Sequence, residues 1–366
     1  MKPALQTTAA EPEAVRGWRS REPEIDRAGM RGRIQGLPGH LAQTAGRALA
    51  AAQEIPRPTP GAIAILGRGG SAIAGDLVAA ATRERRRVPL TVVRGYSLPA
   101  WLDGDAWVIA SSYSGQTEET LAAYAEARAR GLKGVVITTG GRLAEEAVRA
   151  GDPVFELPGG FPPRAALGHS FAACEVLAAR LTAGLDEGAE AAALLDVAER
   201  LDPCAREWLA WDPANPALAV AVEATAALPL VYSGHPLSHA TGRRWRTQFN
   251  ENAKLLAYTA EFPEHSHNEI VGFEPEAPRR CAIFYLETAW DHPRVSRRMA
   301  LTRRFLADRA VSQREVDPGG GSPLEAMLRL CLLGDCASFL ASVITGRDPT
   351  PVASIDALKS ELSRVR

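Results

Sequence analysis

Little in this chain speaks for disulfides, membranes or polyanions. Its 366 residues hold five cysteines, Cys174, Cys204, Cys281, Cys331 and Cys336, an odd number without C-x-x-C spacing. Reduced, mostly buried thiols are expected rather than a disulfide or zinc framework. Cys331 and Cys336 are five apart on an apolar helical stretch and do not share a face. No run reaches the roughly 18 apolar residues of a membrane span, and the N-terminus has no apolar signal core. A cytoplasmic protein without membrane contact is the expectation. Lys and Arg number 42 against 43 Asp and Glu, a net charge of −1, which argues against a nucleic-acid footprint. The runs Arg83/Arg85/Arg86/Arg87 and Arg243/Arg244/Arg246 stand among acids and read as solvated faces, although the second could contribute to an active-site field. No Gly-Lys-Ser/Thr loop and no G-x-G-x-x-G fingerprint occurs, so neither a Walker nucleotide site nor a dinucleotide site is predicted.

What is present is length and rhythm. At about 150 residues per domain the chain predicts two domains. From residue 61 short apolar runs alternate with helical patterns. The runs 61–67, 90–96, 106–115, 134–141 and 153–160 read as strands, separated after the first, third and fourth by amphipathic stretches. Continuous apolar strands alternating with helices indicate a parallel sheet covered on both faces. A helix over 163–184 follows. A sparser rhythm then resumes, with strands at 228–234, 281–287 and 311–316 and helices over 239–254, 295–308, 322–346 and the C-terminus. The expected class is α/β, with two tandem doubly wound, flavodoxin-like parallel-sheet domains. Residues 1–23 are expected to be a mobile tail, 24–190 the first domain, 191–215 a helix and linker, and 216–366 the second domain.

Two strand-to-helix junctions carry glycines and hydroxyls suited to an oxyanion. The first is Gly67-Arg68-Gly69-Gly70-Ser71, and the second is Ser111-Ser112-Tyr113-Ser114-Gly115-Gln116-Thr117. Glycine lets backbone N–H groups approach closely, the helix N-terminus adds partial positive charge, and hydroxyls donate without bulk. Each alone reads as a turn and an N-cap. On the first and third strands of one sheet they predict a phosphate site formed by Gly69, Gly70, Ser71, Ser112, Ser114, Gly115 and Thr117.

The pattern S-Y-S-G-x-T-E-E with an upstream G-x-G-G-S resembles the sugar isomerase (SIS) domain. Three further blocks extend the likeness: Pro162-Pro163-Arg164-Ala165-Ala166-Leu167-Gly168, Asn250-Glu251-Asn252-Ala253-Lys254 and His267-Asn268-Glu269-Ile270-Val271-Gly272. In this order they resemble the bifunctional phosphoglucose/phosphomannose isomerases, which have two tandem SIS domains. The likeness runs from about Gly61 to the C-terminus. Arg68 departs from it, standing where an apolar residue is usual, as does Ala74 where glycine is common.

The resemblance implies a metal-independent aldose–ketose isomerase of hexose 6-phosphates, without cofactor, acting through a cis-enediol(ate). Glucose 6-phosphate and fructose 6-phosphate are the implied pair, with mannose 6-phosphate as the epimer. It implies Glu251 as the proton-shuttling base, a role that partial desolvation beside Trp and Phe would suit; by itself the residue reads as a solvated helix glutamate paired with Lys254 or a nearby Arg. It implies His267 as the ring-opening acid/base, supplied across a homodimer interface so that active sites are shared. A histidine ordinarily titrates near neutrality, which suits the role; a turn histidine or a metal pair with His265 are the other readings. Arg164, with its fixed charge and planar fork, would stabilise the enediolate oxygen. Its place at a helix start is electrostatically poor unless an anion is near. Lys359 would assist ring opening and Thr350 would help admit both epimers. The alternatives are a non-catalytic sugar-phosphate sensor and an isomerase of an amino- or seven-carbon sugar phosphate.

Overall fold

A computed structural model of the chain describes residues 12–234, 236–274 and 279–364. It opens with three helices, α1 (Glu13–Ile25), α2 (Met30–Gln35) and α3 (Leu37–Gln53). The first sheet unit follows as β1 (Ile63–Leu66), α4 (Gly69–Ala81), β2 (Leu90–Val93), β3 (Trp107–Ser111), α5 (Glu118–Ala129), β4 (Lys133–Thr138), α6 (Gly141–Ala150) and β5 (Val154–Glu156). Helices α7 (Leu167–Leu181), α8 (Glu187–Glu207) and α9 (Pro216–Ala226) lead to the second unit. That unit comprises β6 (Leu228–Ser233), α10 (Pro236–Gln248), β7 (Tyr258–Glu261), β8 (Arg279–Leu286), α11 (Pro293–Phe305) and β9 (Ala310–Val316), closed by α12 (Pro323–Ile344) and α13 (Ala353–Leu362).

The sheets are ordered β2-β1-β3-β4-β5 and β7-β6-β8-β9, and each pairing is parallel. Each is doubly wound, with its reversal point between its first and third strands. Period-two geometry sorts the side chains of the first sheet. Ile63, Ile65, Ile109 and Ile137 enter one core with α3, α4 and α7. Ala64, Leu66, Val108, Ala110 and Val136 enter another with Tyr124 of α5 and Leu143 and Ala147 of α6. The first of these cores continues into the second unit through Trp245, Phe249, Phe284 and α12. The two sheet units are therefore joined by shared apolar packing.

Several expectations are corrected. Residues 13–23 are helix, not tail: Val15, Trp18 and Ile25 share one face of α1, and the Trp18 ring lies tilted against Trp211 with centroids 6.2 Å apart. Residues 1–11 of that tail lie outside the described residues. The stretch 191–207 is the body of α8, with Leu194, Val197, Ala198 and Leu201 buried, leaving only 208–215 as a connection. The helix expected over 239–254 ends at Gln248 and continues as a π turn. Strand β7 was not expected; its four residues are partly exposed at the sheet edge. Helix α12 does have the length and apolarity of a membrane span, against expectation, but 89% of the apolar window is buried inside the protein, and it is a core helix. The five cysteines are buried and none is in a disulfide.

Candidate active site

The two glycine-and-hydroxyl loops lie side by side. Leu66 pairs with Ala110 at the C-terminal ends of β1 and β3, so the chain leaves both strands at the same crevice. Gly115 adopts φ +64°, and a Cβ there would lie 1.8 Å from the carbonyl oxygen of Gly140. Only glycine fits, and the contact seats the second loop on the turn into α6. Ser112 Oγ donates to Thr117 Oγ1 at 2.9 Å, and the Gln116 N–H donates to Ser114 Oγ at 3.2 Å. Ser71 and Ser112 are buried, while Ser114 and Gly69 are exposed. Neither α4 nor α5 has a side-chain N-cap. The first-turn amides of two helices thus converge, uncapped by side chains, where an anion would be welcome.

The backbone at Gly70 approaches a short 3-10 turn, Pro163–Ala166. A Cβ at residue 70 would meet the Pro163 carbonyl oxygen at 3.0 Å and Arg164 Cα at 3.5 Å. Pro162 and Pro163 pre-set the backbone of this turn, which projects Arg164 away from the first loop and into the second unit. Arg164 is 4% exposed. Its Nε donates to Asn252 Oδ1 at 2.7 Å, Nη1 to Glu251 Oε2 at 3.3 Å, and Nη2 to the carbonyls of Pro349 and Thr350 at 2.5 and 2.9 Å. Burial lowers its pKa and the Glu251 carboxylate opposes that shift.

Glu251 sits on the π turn Phe249–Ala253, where the Lys254 N–H reaches back to the Phe249 carbonyl. One extra residue in a helical turn re-aims the side chains that follow. Phe249, Asn252 and Ala253 turn into the core, while the Glu251 side chain keeps 28% of its exposure. Asn252 joins a closed circuit of buried polar groups. Its Nδ2 donates to Ser338 Oγ at 3.0 Å, which donates to the Asp335 carbonyl at 2.9 Å. The Asp335 carboxylate accepts from Arg244 Nη2 and from Gln248 Nε2. Arg244 Nη2 in turn donates to the Arg164 carbonyl at 3.0 Å. Burial raises the pKa of Asp335, and Arg244 and Gln248 pull it back. Glu251 and Lys254 border a cavity of about 670 Å³ shared with Leu255, Asp348, Pro351 and Val352.

The structure brings together Arg164, Glu251 and Thr350 and lays Gly70 against them. The Thr350 Oγ1 is buried without a hydrogen-bond partner. His267 and Lys359 are not brought into this group. His267 is exposed on the 3-10 turn Glu264–His267 after β7, and Lys359 is exposed on α13, a helix with no buried residue. Among the described residues neither side chain has a hydrogen bond or ion pair. The pairing of His265 with His267 is not seen: His265 is 1% exposed, its ring tilted against those of Tyr232 and Phe262, with burial lowering its pKa. No cluster of metal-ligating residues occurs among the described residues. Within the second Arg run, Arg244 is buried and Arg243 faces Asp76 at 3.5 Å. Asn252, Lys254, Ser338 and Asp335 escaped sequence reasoning as site residues. The available signal was Asp335, a lone acid in the apolar run of α12.

Comparison with known proteins now has a geometry to meet. A family profile described as bacterial phospho-glucose isomerase C-terminal SIS domain matches residues 213–362. Over 314 residues the chain is 37% identical to a bifunctional phosphoglucose/phosphomannose isomerase of Caldicellulosiruptor bescii, covering 83% of this chain and 90% of that relative. Over 304 residues it is 34% identical to a protein of the same name from Aquifex aeolicus, covering 82% and 90%. The solved C-terminal domain of glucosamine-fructose-6-phosphate aminotransferase from Francisella tularensis has a TM-score of 0.69 at 14% identity, covering 88% of this chain and 98% of that one, a likeness of fold. The chain belongs to the bifunctional phosphoglucose/phosphomannose isomerase family.

Proposed function

We propose that this isomerase interconverts fructose 6-phosphate with glucose 6-phosphate and with mannose 6-phosphate through a cis-enediol(ate). The phosphate would rest on the amides of Gly69, Gly70 and Gly115 and the hydroxyls of Ser71, Ser112, Ser114 and Thr117. Glu251 would take the proton from C2 of the aldose and return it to C1, while a hydroxyl proton passes between O1 and O2. Arg164 would face the oxygen on which negative charge develops. Rotation about C2–C3 before the proton returns to C2 would admit both epimers, with Thr350 beside that bond. His267, exposed and without a hydrogen bond or ion pair among the described residues, would reach the sugar of a second copy, making the working form a homodimer with shared sites. Lys359 would join it in ring opening. The chemistry asks for donors and a cation, with no cofactor, and a cytoplasmic setting follows from its phosphorylated substrates.

The observation that carries this reading is the path from loop to base. Gly70 abuts the backbone of residues 163–164, and the Arg164 guanidinium ends 3.3 Å from the Glu251 carboxylate. A phosphate anchor, a fixed cation and a carboxylate are so joined through one residue. The test is a coupled assay of purified protein, with EDTA, on the three hexose 6-phosphates. Interconversion is expected in both pairs. Glu251→Gln should lower turnover by about 10³-fold or more while sugar-phosphate binding stays nearly intact. No interconversion in any pair would point to a sensor or another sugar phosphate, and full turnover in the variant would remove Glu251 as base.

A further inference from the structure

The chain spends lysine sparingly. It has four lysines against 38 arginines, yet one stands directly after the candidate base. Lys254 adopts φ +56°, the one non-glycine residue among the described residues in the left-handed region, a conformation that disfavours ordinary side chains. It closes the π turn with its own N–H, and its side chain folds back over that turn. Nζ donates to the Glu251 carbonyl at 2.6 Å and to the Pro349 carbonyl at 3.2 Å. Pro349 is also the acceptor of Arg164 Nη2. Two cations therefore grip one carbonyl from two sides, and between them lies Glu251.

We propose that Lys254 is a positioning residue for the isomerisation: its ammonium ties the Glu251 backbone to the 348–351 segment and so holds the carboxylate beside Arg164. This rests on Glu251 acting as the base. A compact ammonium with three rotatable donors serves both carbonyls at once, whereas a planar guanidinium presents its donors in a fixed fork and would serve them less well. Glu251 lies on a turn with non-standard hydrogen bonding, and a small backbone shift there would move the carboxylate relative to the sugar carbons. The charged groups facing Lys254 are Arg164, Asp348 and Glu251. Burial and Arg164 lower its pKa to about 8, while Asp348 and Glu251 oppose them. The ammonium, and with it the clamp, is lost as pH rises through that value.

The experiment compares Lys254→Met, Lys254→Arg and Lys254→Gly with the native enzyme. Glycine is at ease at φ +56°, so the Lys254→Gly protein should melt no lower than native. It should nonetheless lose about 10- to 10²-fold in kcat/KM, mostly in kcat, as Lys254→Met should. Lys254→Arg should recover part of the rate. The native pH–rate profile should fall above about pH 8, and that limb should be absent in Lys254→Met and displaced upward in Lys254→Arg. Native rate in Lys254→Gly, or an unmoved basic limb in Lys254→Arg, would overturn the proposal. If the native protein isomerises none of the three hexose phosphates, the functional reading fails first. If it isomerises them and the Lys254 variants match it, only the clamp fails.

Discussion

The molecule finishes one half of its candidate site and leaves the other half open. Arg164, Asn252, Ser338, Asp335 and Arg244 form a circuit in which each member is buried and bonded to the next. Drawn from the turn before α7, the π turn, α10 and α12, it ties the two sheet units together around Glu251. By contrast, His267 lies on a short exposed turn and Lys359 on a helix without a buried residue. A buried polar network favours one arrangement of its members, and here the ring closes although Arg244 Nε and Gln248 Oε1 have no hydrogen-bond partner among the described residues. An exposed turn specifies nothing until something meets it. The difference teaches where the chain places its rigidity: around Glu251 and Arg164, the proposed base and enediolate cation, while His267 and Lys359, the proposed ring-opening groups, stand exposed.

The sharpest way to break the closed half is Asp335→Ala. It would leave the Arg244 guanidinium buried without its carboxylate and free Gln248 Nε2 as well. Removing one partner of a buried pair costs about 3–5 kcal/mol. A large fall in melting temperature is expected, with activity lost even below the new midpoint because Arg244 also bonds the Arg164 carbonyl. A melting curve close to native would mean that the circuit contributes little to joining the sheets.

The open half is tested by mixing. His267→Asn should lower turnover by about 10²-fold without lowering the melting temperature, since the exposed ring has no hydrogen bond or ion pair among the described residues. If the histidine serves the neighbouring copy, combining His267→Asn subunits with Glu251→Gln subunits restores complete sites. Random exchange would give about a quarter of native activity, because half the dimers are mixed and each of those has one intact site. No recovery after verified exchange would place His267 at its own chain's site and remove the dimer from the mechanism.

The first sheet was legible from the sequence because parallel strands buried on both faces are uninterrupted apolar runs, as Ile63–Leu66 and Trp107–Ser111 are. The loops were legible only as a pair: each alone reads as a turn and an N-cap, and their place on two strands of one sheet is what suggested an anion site. The edge strand β7 was not: Tyr258–Glu261 mixes an exposed aromatic with an acid and alternates on neither face. Helix α1 was masked by its charges and by Pro23, with Val15, Trp18 and Ile25 too sparse to outweigh them. The π turn could not be read at all. Phe249, Asn252 and Ala253 fit an α-helical pattern, and the extra residue shows only in which carbonyl the Lys254 N–H chooses. Asn252 was therefore quoted as part of a motif without its role as the partner of Arg164. The resemblance supplied Glu251 and Arg164 as separate residues; their meeting at 3.3 Å is a fact of the fold.

Arg68 gives the smallest test, and it lies apart from both halves, at the first loop. It directly precedes α4, at the position where the first loop departs from the pattern it resembles. Its guanidinium donates to the Arg94 carbonyl at 2.8 Å and stands 3.4 Å from the Glu119 carboxylate in the first turn of α5. Glu119 is the acid nearest the second loop that carries a cationic partner, and an unpaired carboxylate there would oppose a phosphate. Arg68 is half-exposed, so the pairing is screened and modest. Arg68→Leu should raise KM for the hexose phosphates by about two- to five-fold with kcat unchanged. The rise should shrink as salt is added, since salt also weakens the repulsion from Glu119. The double variant Arg68→Leu with Glu119→Gln should return KM to near native. An unchanged KM in the single variant would mean that the phosphate does not sense this edge of the sheet, and that the departure at residue 68 is a matter of surface charge alone.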